Sequence, residues 1–147
     1  MDIQCKQLLP HHTGLLCELA CLYAAVFETK DFQMPSLSWL EKVLQDEKIV
    51  FIAALAENEL AGGLTAYIVP SLYTESCGIY LYDLAVNPVW QRKGIGKKLL
   101  QELRSYGRSK GYFEIFLQAE AGDLHAIDFY RSTGGREEPA VQFSYKL

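Results

Sequence analysis

Two glycines, Gly94 and Gly96, flank an isoleucine where a helical pattern begins, among Arg92, Lys93, Lys97 and Lys98. Ile95, Leu99, Leu103 and Tyr106 share one helical face, with Lys98, Gln101, Glu102 and Arg108 largely off it. Upstream, Ile79 to Val86 is an apolar, aromatic-rich run closed by Asn87-Pro88, which predicts a buried strand. The order is strand, glycine turn, helix N-terminus. The first N–H groups of a helix lack internal acceptors and lie at its positive end. Glycines let a ligand approach that backbone closely. The chemistry this suits is the holding of a phosphate. A P-loop has four residues between its glycines, and a dinucleotide loop needs a third glycine where Leu99 stands, so neither pattern applies. On these residues alone, an ordinary strand-to-helix turn with a solvated basic rim stays open.

Asp83 is the one charge in the predicted strand. A buried carboxylate is costly unless paired or hydrogen-bonded. Strand alternation puts it with Leu81 and Ala85 and away from Tyr82 and Leu84. It can cap backbone or pair with an arginine, or it can meet an amine and accept its proton. Tyr130 lies beside Phe129 in a helical stretch, where most aromatics pack in the core; Phe129 can do that packing and free Tyr130. Glu28, Asp31, Glu75, Glu120, Asp123, Glu137 and Glu138 fall in loops or at element ends. Each alone reads as a solvated group, while together they suit a polycation. Glu120 and Asp123 stand out because their loop follows the strand that must pair with the central one.

The elements that position these residues follow from pattern and punctuation. Ile3 to Leu8 is a first strand, and Thr13 can cap a helix to about Phe27. Pro35 and Ser36 open a second helix whose buried face is Leu37, Leu40, Val43 and Leu44. Ile49 to Ala56 and Leu60 to Val69 form a hairpin across Glu57-Asn58-Glu59. Gly62-Gly63 within it signals a bulge or a close backbone approach. After the central strand and its helix, Gly111 is a stop signal. Glu114 to Ala119 is a strand, His125 to Thr133 a helix ended by Gly134-Gly135, and Val141 to Lys146 a closing strand. The order is β-α-α-β-β-β-α-β-α-β. The unit from Ile79 to Ala119 must be a parallel crossover, so the sheet is mixed.

The whole chain, 1–147, fits one domain with a real core. Its net charge is −4 and its pI about 5.4, which argues against a general nucleic-acid binder and permits a cationic partner. Cys5, Cys17, Cys21 and Cys77 show no CxxC spacing and read as reduced, buried thiols of a cytoplasmic protein. His11, His12, Cys17 and Cys21 match no zinc spacing, so no metal is expected. Leu15 to Phe27 is apolar but carries Glu18 and falls short of the ~20 residues a membrane span needs. No targeting segment or membrane association is expected.

Gln91-Arg92-Lys93-Gly94-Ile95-Gly96 resembles the acetyl-CoA pyrophosphate loop of the GNAT superfamily of N-acetyltransferases. Ala126-Ile127-Asp128-Phe129-Tyr130-Arg131-Ser132-Thr133-Gly134-Gly135 is similar to that family's second signature, with Gly135 where an aromatic is usual. Gly62 to Tyr67, Tyr80 to Val86, Gln118 to Asp123 and Arg136-Glu137-Glu138 narrow the resemblance to type I aminoglycoside 3-N-acetyltransferases. Glu120 stands where that family is expected to have Asp, and Leu124-His125 replaces an expected Asp-Pro or similar pair. The resemblance implies a mixed α/β (α+β) GNAT fold and acetyl-CoA as cosubstrate. It implies that Leu84, Ala85, Val86, Gln91, Arg92, Lys93, Gly94, Ile95, Gly96 and Lys97 hold that cosubstrate. Asp83 would bind the substrate amine and take its proton, Tyr130 would protonate the leaving thiolate, and Glu120 and Asp123 would bind flanking ammonium groups. The expected partner is a small cationic amine, with room for a homodimer. The alternatives are a GNAT enzyme for a polyamine, an amino acid or a peptide, and a non-catalytic acyl-CoA-binding module.

Overall fold

The computed structural model describes residues 1–147, which divide into two compact units, Met1–Leu117 and Gln118–Leu147. The first unit is built on a five-stranded sheet in the order β1 (Ile3–Gln7), β2 (Ile49–Ala56), β3 (Glu59–Pro70), β4 (Cys77–Val86), β5 (Glu114–Phe116). Neighbours are antiparallel from β1 to β4 and parallel between β4 and β5. Helices α1 (Thr13–Val26), α2 (Leu37–Gln45) and α3 (Ile95–Lys110) belong to the same unit. A mixed sheet flanked by helices, with the crossover at β4-α3-β5, is the expected arrangement.

The β2–β3 turn has Glu57 and Asn58 at φ 53° and 67°. Two consecutive left-handed residues match the twist of the strands they join. The glycine pair in β3 makes close approaches on opposite sides of the sheet. A Cβ on Gly62 would lie 2.8 Å from the Ala85 carbonyl and 3.3 Å from Ile95 of α3. One on Gly63 would lie 2.5 Å from Leu19 of α1. Adjacent strand residues face opposite ways, so α1 and α3 cover opposite faces. The core on the α1 side joins Leu16, Leu19 and Leu22 of α1, Leu40 and Leu44 of α2, and Phe51 and Ala53 of β2. On the α3 side, Ile95, Leu99 and Leu103 are fully buried, and a Cβ on Gly107 would meet Ile79 at 2.8 Å.

Several expectations change. His12, not Thr13, occupies the N-cap of α1; its Nδ1 accepts a hydrogen bond from the Leu9 amide at 2.8 Å. Ser36 caps α2 as expected, accepting from the Trp39 amide, but Leu37 is exposed because Leu40 and Leu44 make the buried stripe. Of the four free thiols, Cys21 is exposed and the other three are partly so; none is fully buried. Strand β5 ends at Phe116 because its pairing with β4 ends at Tyr80. No helix is long and apolar enough to cross a membrane.

In the second unit, α4 (Leu124–Ser132) starts at Asp123, whose Oδ1 accepts from the Ala126 amide at 3.1 Å. It ends with Gly134 at φ +90°, whose N–H donates to the Arg131 carbonyl while the Gly135 N–H donates to Tyr130. This is the hydrogen-bond pair that left-handed glycine caps make. The glycine at 135 also has a local reason: a Cβ there would sit 3.0 Å from the Tyr130 carbonyl. The closing strand read from Val141 to Lys146 does not form. A strand exists only through its ladder partners, and alternation alone supplies none.

Candidate active site

Asp83 is turned by a register shift. Opposite β3, Thr65 pairs with Asp83 and Ala66 with Leu81, so Tyr82 is left over as a bulge. Two residues of one strand then oppose a single step of the other, and the side-chain alternation is reset. Asp83 therefore does not share a face with Leu81, which lies buried toward α3, as simple alternation predicts. It joins the face of Thr65, beneath α1, and keeps Ala85 on its side.

On that face the half-buried carboxyl of Asp83 stands opposite Thr65. Burial pushes its pKa up and the Thr65 bond pulls it down, with burial the larger effect. The ion pairs of the structure, Arg131 with Asp128 and Glu137 and Arg136 with Glu138, leave it out. A carboxylate lifted by desolvation is a better proton acceptor than a solvated one. Around it stands an aromatic row. The rings of Tyr67 and Tyr82 meet edge-on at 5.5 Å, those of Tyr80 and Tyr82 at 5.8 Å, and Tyr80 stacks on Phe116 at 5.0 Å. Aromatic faces beside a carboxylate suit an ammonium group or the apolar face of a ring.

Beyond Tyr80 the path of β4 has no strand on the β5 side, because β5 pairs only with Gly78, Ile79 and Tyr80. The backbone of Leu84, Ala85 and Val86 lies in this unpaired stretch, where a carbonyl-bearing ligand can be met by main-chain N–H groups. After it, Asn87 caps a single 3-10 turn, Pro88–Trp90, and the Gln91 side chain donates to the Val86 carbonyl at 3.1 Å. Gln91 thus ties the turn to the strand.

Arg92 at φ 59° and Gly94 at φ +81° then bend the chain into α3. Gly94 is the N-cap, and a Cβ there would meet nothing within 4 Å. Open space, a left-handed cap and the unshared N–H groups of Ile95, Gly96 and Lys97 fit a pyrophosphate. The basic side chains divide their work. Lys93 lies over the Trp90 ring at 4.8 Å. Lys98 donates to the Ile3 carbonyl of β1, so it braces the sheet. Arg92 and Lys97 are exposed.

In the second unit, Tyr130 is half-buried, and burial with the nearby Asp123 holds its hydroxyl above the ordinary phenol range. It is therefore protonated at neutral pH and able to donate. Asp123 is partly engaged as the α4 cap, while Glu120 is exposed. Glu137 takes a two-pronged bond from Arg131 at 2.7 and 2.9 Å, and Glu138 takes one from Arg136. These two acids are occupied locally.

The residues that sequence reasoning missed are Thr65 and Tyr23. Tyr23 of α1 lies 2.9 Å from the Thr65 hydroxyl. The one signal in the sequence is a threonine in an otherwise apolar strand.

Comparison with known proteins bears on the family and the fold. Residues 15–134 match the acetyltransferase (GNAT) family. An aminoglycoside acetyltransferase from an uncultured soil metagenomic sample, solved with trehalose and with sisomicin, is 40% identical and superposes with a TM-score of 0.97; the match covers 99% of this chain and 96% of that one. A second aminoglycoside acetyltransferase from such a sample is 31% identical with a TM-score of 0.93, over 100% of this chain and 99% of that one. A ribosomal protein bS18-alanine N-acetyltransferase of Salmonella typhimurium is 28% identical over 102 residues, which is 67% of this chain and 65% of that protein's length. With the glycine-capped turn into α3 and the stretch of β4 that runs on beyond β5, these matches identify the chain as a member of the GNAT acetyltransferase family.

Proposed function

We propose that the chain is an acetyl-CoA-dependent N-acetyltransferase of the cytoplasm that acts on an aminoglycoside, at its 3-amino group. The observation that carries this reading is Asp83: a carboxylate raised by burial, outside any ion pair, set where β4 runs on beyond its pairing with β5 and beside an aromatic row. The likeness to two aminoglycoside acetyltransferases over nearly the whole chain supports the substrate class.

When bound, acetyl-CoA supplies an acetyl group activated as a thioester. The N-terminus of α3, with Gln91 to Lys97, would hold its pyrophosphate. Main-chain N–H groups of Leu84, Ala85 and Val86 would orient the acetyl carbonyl and stabilise charge on its oxygen. Asp83 would bind the substrate ammonium and take its proton, directly or through one water, leaving a neutral nucleophile. Tyr130 would give its proton to the leaving sulfur. The family resemblance assigns that role, and a phenol held in its protonated form is compatible with it. Glu120 and Asp123 would hold flanking ammonium groups of the polycation. This scheme calls on no metal. The Salmonella relative supports a second reading, transfer to a peptide N-terminus.

The direct test is product analysis. After incubation with acetyl-CoA and sisomicin, the drug should carry one acetyl group, and NMR should place it on the 3-amino nitrogen. Acetylation elsewhere on the drug would keep the substrate and overturn the position. Acetylation of a peptide but not the drug would favour the second reading.

A further inference from the structure

Three side chains from three elements line up on one face: Tyr23 of α1 bonds the Thr65 hydroxyl of β3, and Thr65 stands directly opposite Asp83 in the β3–β4 register. Thr65 is 4% exposed and is the buried polar residue of the core. Tyr23 satisfies it there, as a buried polar group requires. The bulge at Tyr82 is what brings Asp83 onto the face where this line can form.

The line has a fixed polarity. An ionised carboxylate only accepts hydrogen bonds. Facing Asp83, the Thr65 hydroxyl can therefore only donate toward it, and its oxygen is left to accept from Tyr23 at 2.9 Å. Tyr23 can always do so: burial drives its phenol far above the ordinary range, so it stays protonated at any working pH. Its hydroxyl lies inside the fold, so the line does not lead a proton outward. It orients the carboxylate instead. A carboxylate has about four acceptor sites. Thr65, itself held by Tyr23, faces one of them and leaves the others for a substrate.

The geometry points to Thr65 and Tyr23 as positioning residues that orient the Asp83 carboxyl toward the substrate amine. This rests on the reading of Asp83 as the proton acceptor. Other titratable groups facing the carboxyl are the phenols of Tyr23 on α1 and Tyr67 on β3, with Tyr82 of β4 next to Tyr67. Burial raises the phenols of Tyr23 and Tyr67, so both stay protonated, and Thr65 is the group that opposes the burial of Asp83.

The test has two readouts. The first is carbon NMR of the Asp83 carboxyl in the free protein, titrated in wild type, Thr65→Val, Thr65→Ser and Tyr23→Phe. Thr65→Val should move the titration to higher pH, Tyr23→Phe should move it less in the same direction, and Thr65→Ser should restore the wild-type midpoint. The second is the acid limb of kcat/KM. In Thr65→Val it should shift upward, with a loss of about tenfold on that limb, the size of one hydrogen bond to a charged group. A merely structural role would lower activity evenly across pH. An unmoved carboxyl titration in folded Thr65→Val would overturn the inference. If Thr65→Val moves the titration while Asp83→Asn keeps wild-type activity, the line exists but Asp83 is not the base. In that outcome the reading of Asp83 is what fails.

Discussion

Asp83→Asn separates chemistry from structure more cleanly than any other single change in this protein. Asparagine has nearly the same shape, and its amide oxygen can accept from Thr65 as the carboxylate does. The bulge, the α1 contact and the aromatic row should all persist. What is lost is the charge and the ability to take a proton. General-base catalysis is worth about 10²–10⁴-fold; at ~1.36 kcal/mol per tenfold this is about 2.7–5.4 kcal/mol of barrier. Turnover on a gentamicin-like aminoglycoside should therefore fall at least ~100-fold. Stability should move the other way. Because burial raises the folded pKa of Asp83 above its unfolded value, its contribution to stability is fully present below the unfolded pKa and is lost as pH rises through the folded one. At neutral pH the ionised wild-type carboxyl thus costs stability that asparagine does not. The variant should unfold at equal or higher temperature at pH 7.5, and the difference should vanish below about pH 4. Steady-state kinetics with thermal melts across pH gives both numbers. An Asp83→Asn protein that is folded and turns over within threefold of wild type would refute the assignment.

Three further changes test the remaining parts. Gly94→Ala has room for its Cβ but forces a left-handed φ of +81°; it should cost about 1–2 kcal/mol in urea unfolding and weaken CoA binding in calorimetric titration. Tyr130→Phe keeps the ring and removes a phenol held protonated, so turnover should fall more than tenfold (about 1.4 kcal/mol) while CoA affinity stays level. Glu120→Gln and Asp123→Asn should chiefly raise the apparent Michaelis constant, most at low salt. Asparagine is as good an N-cap as aspartate, so α4 should survive the second change, as circular dichroism can check.

The parts of this fold legible in the sequence are those marked by local chemistry. Gly94 and Gly111 bound α3, Ser36 caps α2, and Glu57-Asn58 closes a hairpin. Gly62-Gly63 announced a close approach, and the structure shows two, one to each flanking helix layer. The surroundings of Asp83 were not legible, because they depend on long-range pairing. Nothing in Tyr80-Leu81-Tyr82-Asp83 marks a bulge, since no glycine or proline interrupts the run; the register against Thr65 and Ala66 creates it. Tyr23 and Thr65 are 42 positions apart and meet only once α1 lies on the sheet. Val141 to Lys146 shows the converse. Its alternation is strand-like, yet no partner completes it and Val141, Phe143 and Tyr145 stay exposed.

The central claim, amine acetylation with an aminoglycoside as the acceptor, is most directly tested by thiol release from acetyl-CoA with gentamicin, spermidine and a short alanine-terminated peptide side by side. kcat/KM for gentamicin should fall in the ordinary enzymatic range of about 10⁴ M⁻¹s⁻¹ or more, with spermidine and peptide at least tenfold (about 1.4 kcal/mol) lower. Release with spermidine or peptide and none with any aminoglycoside would contradict the substrate, and CoA binding without release to any amine would contradict catalysis itself.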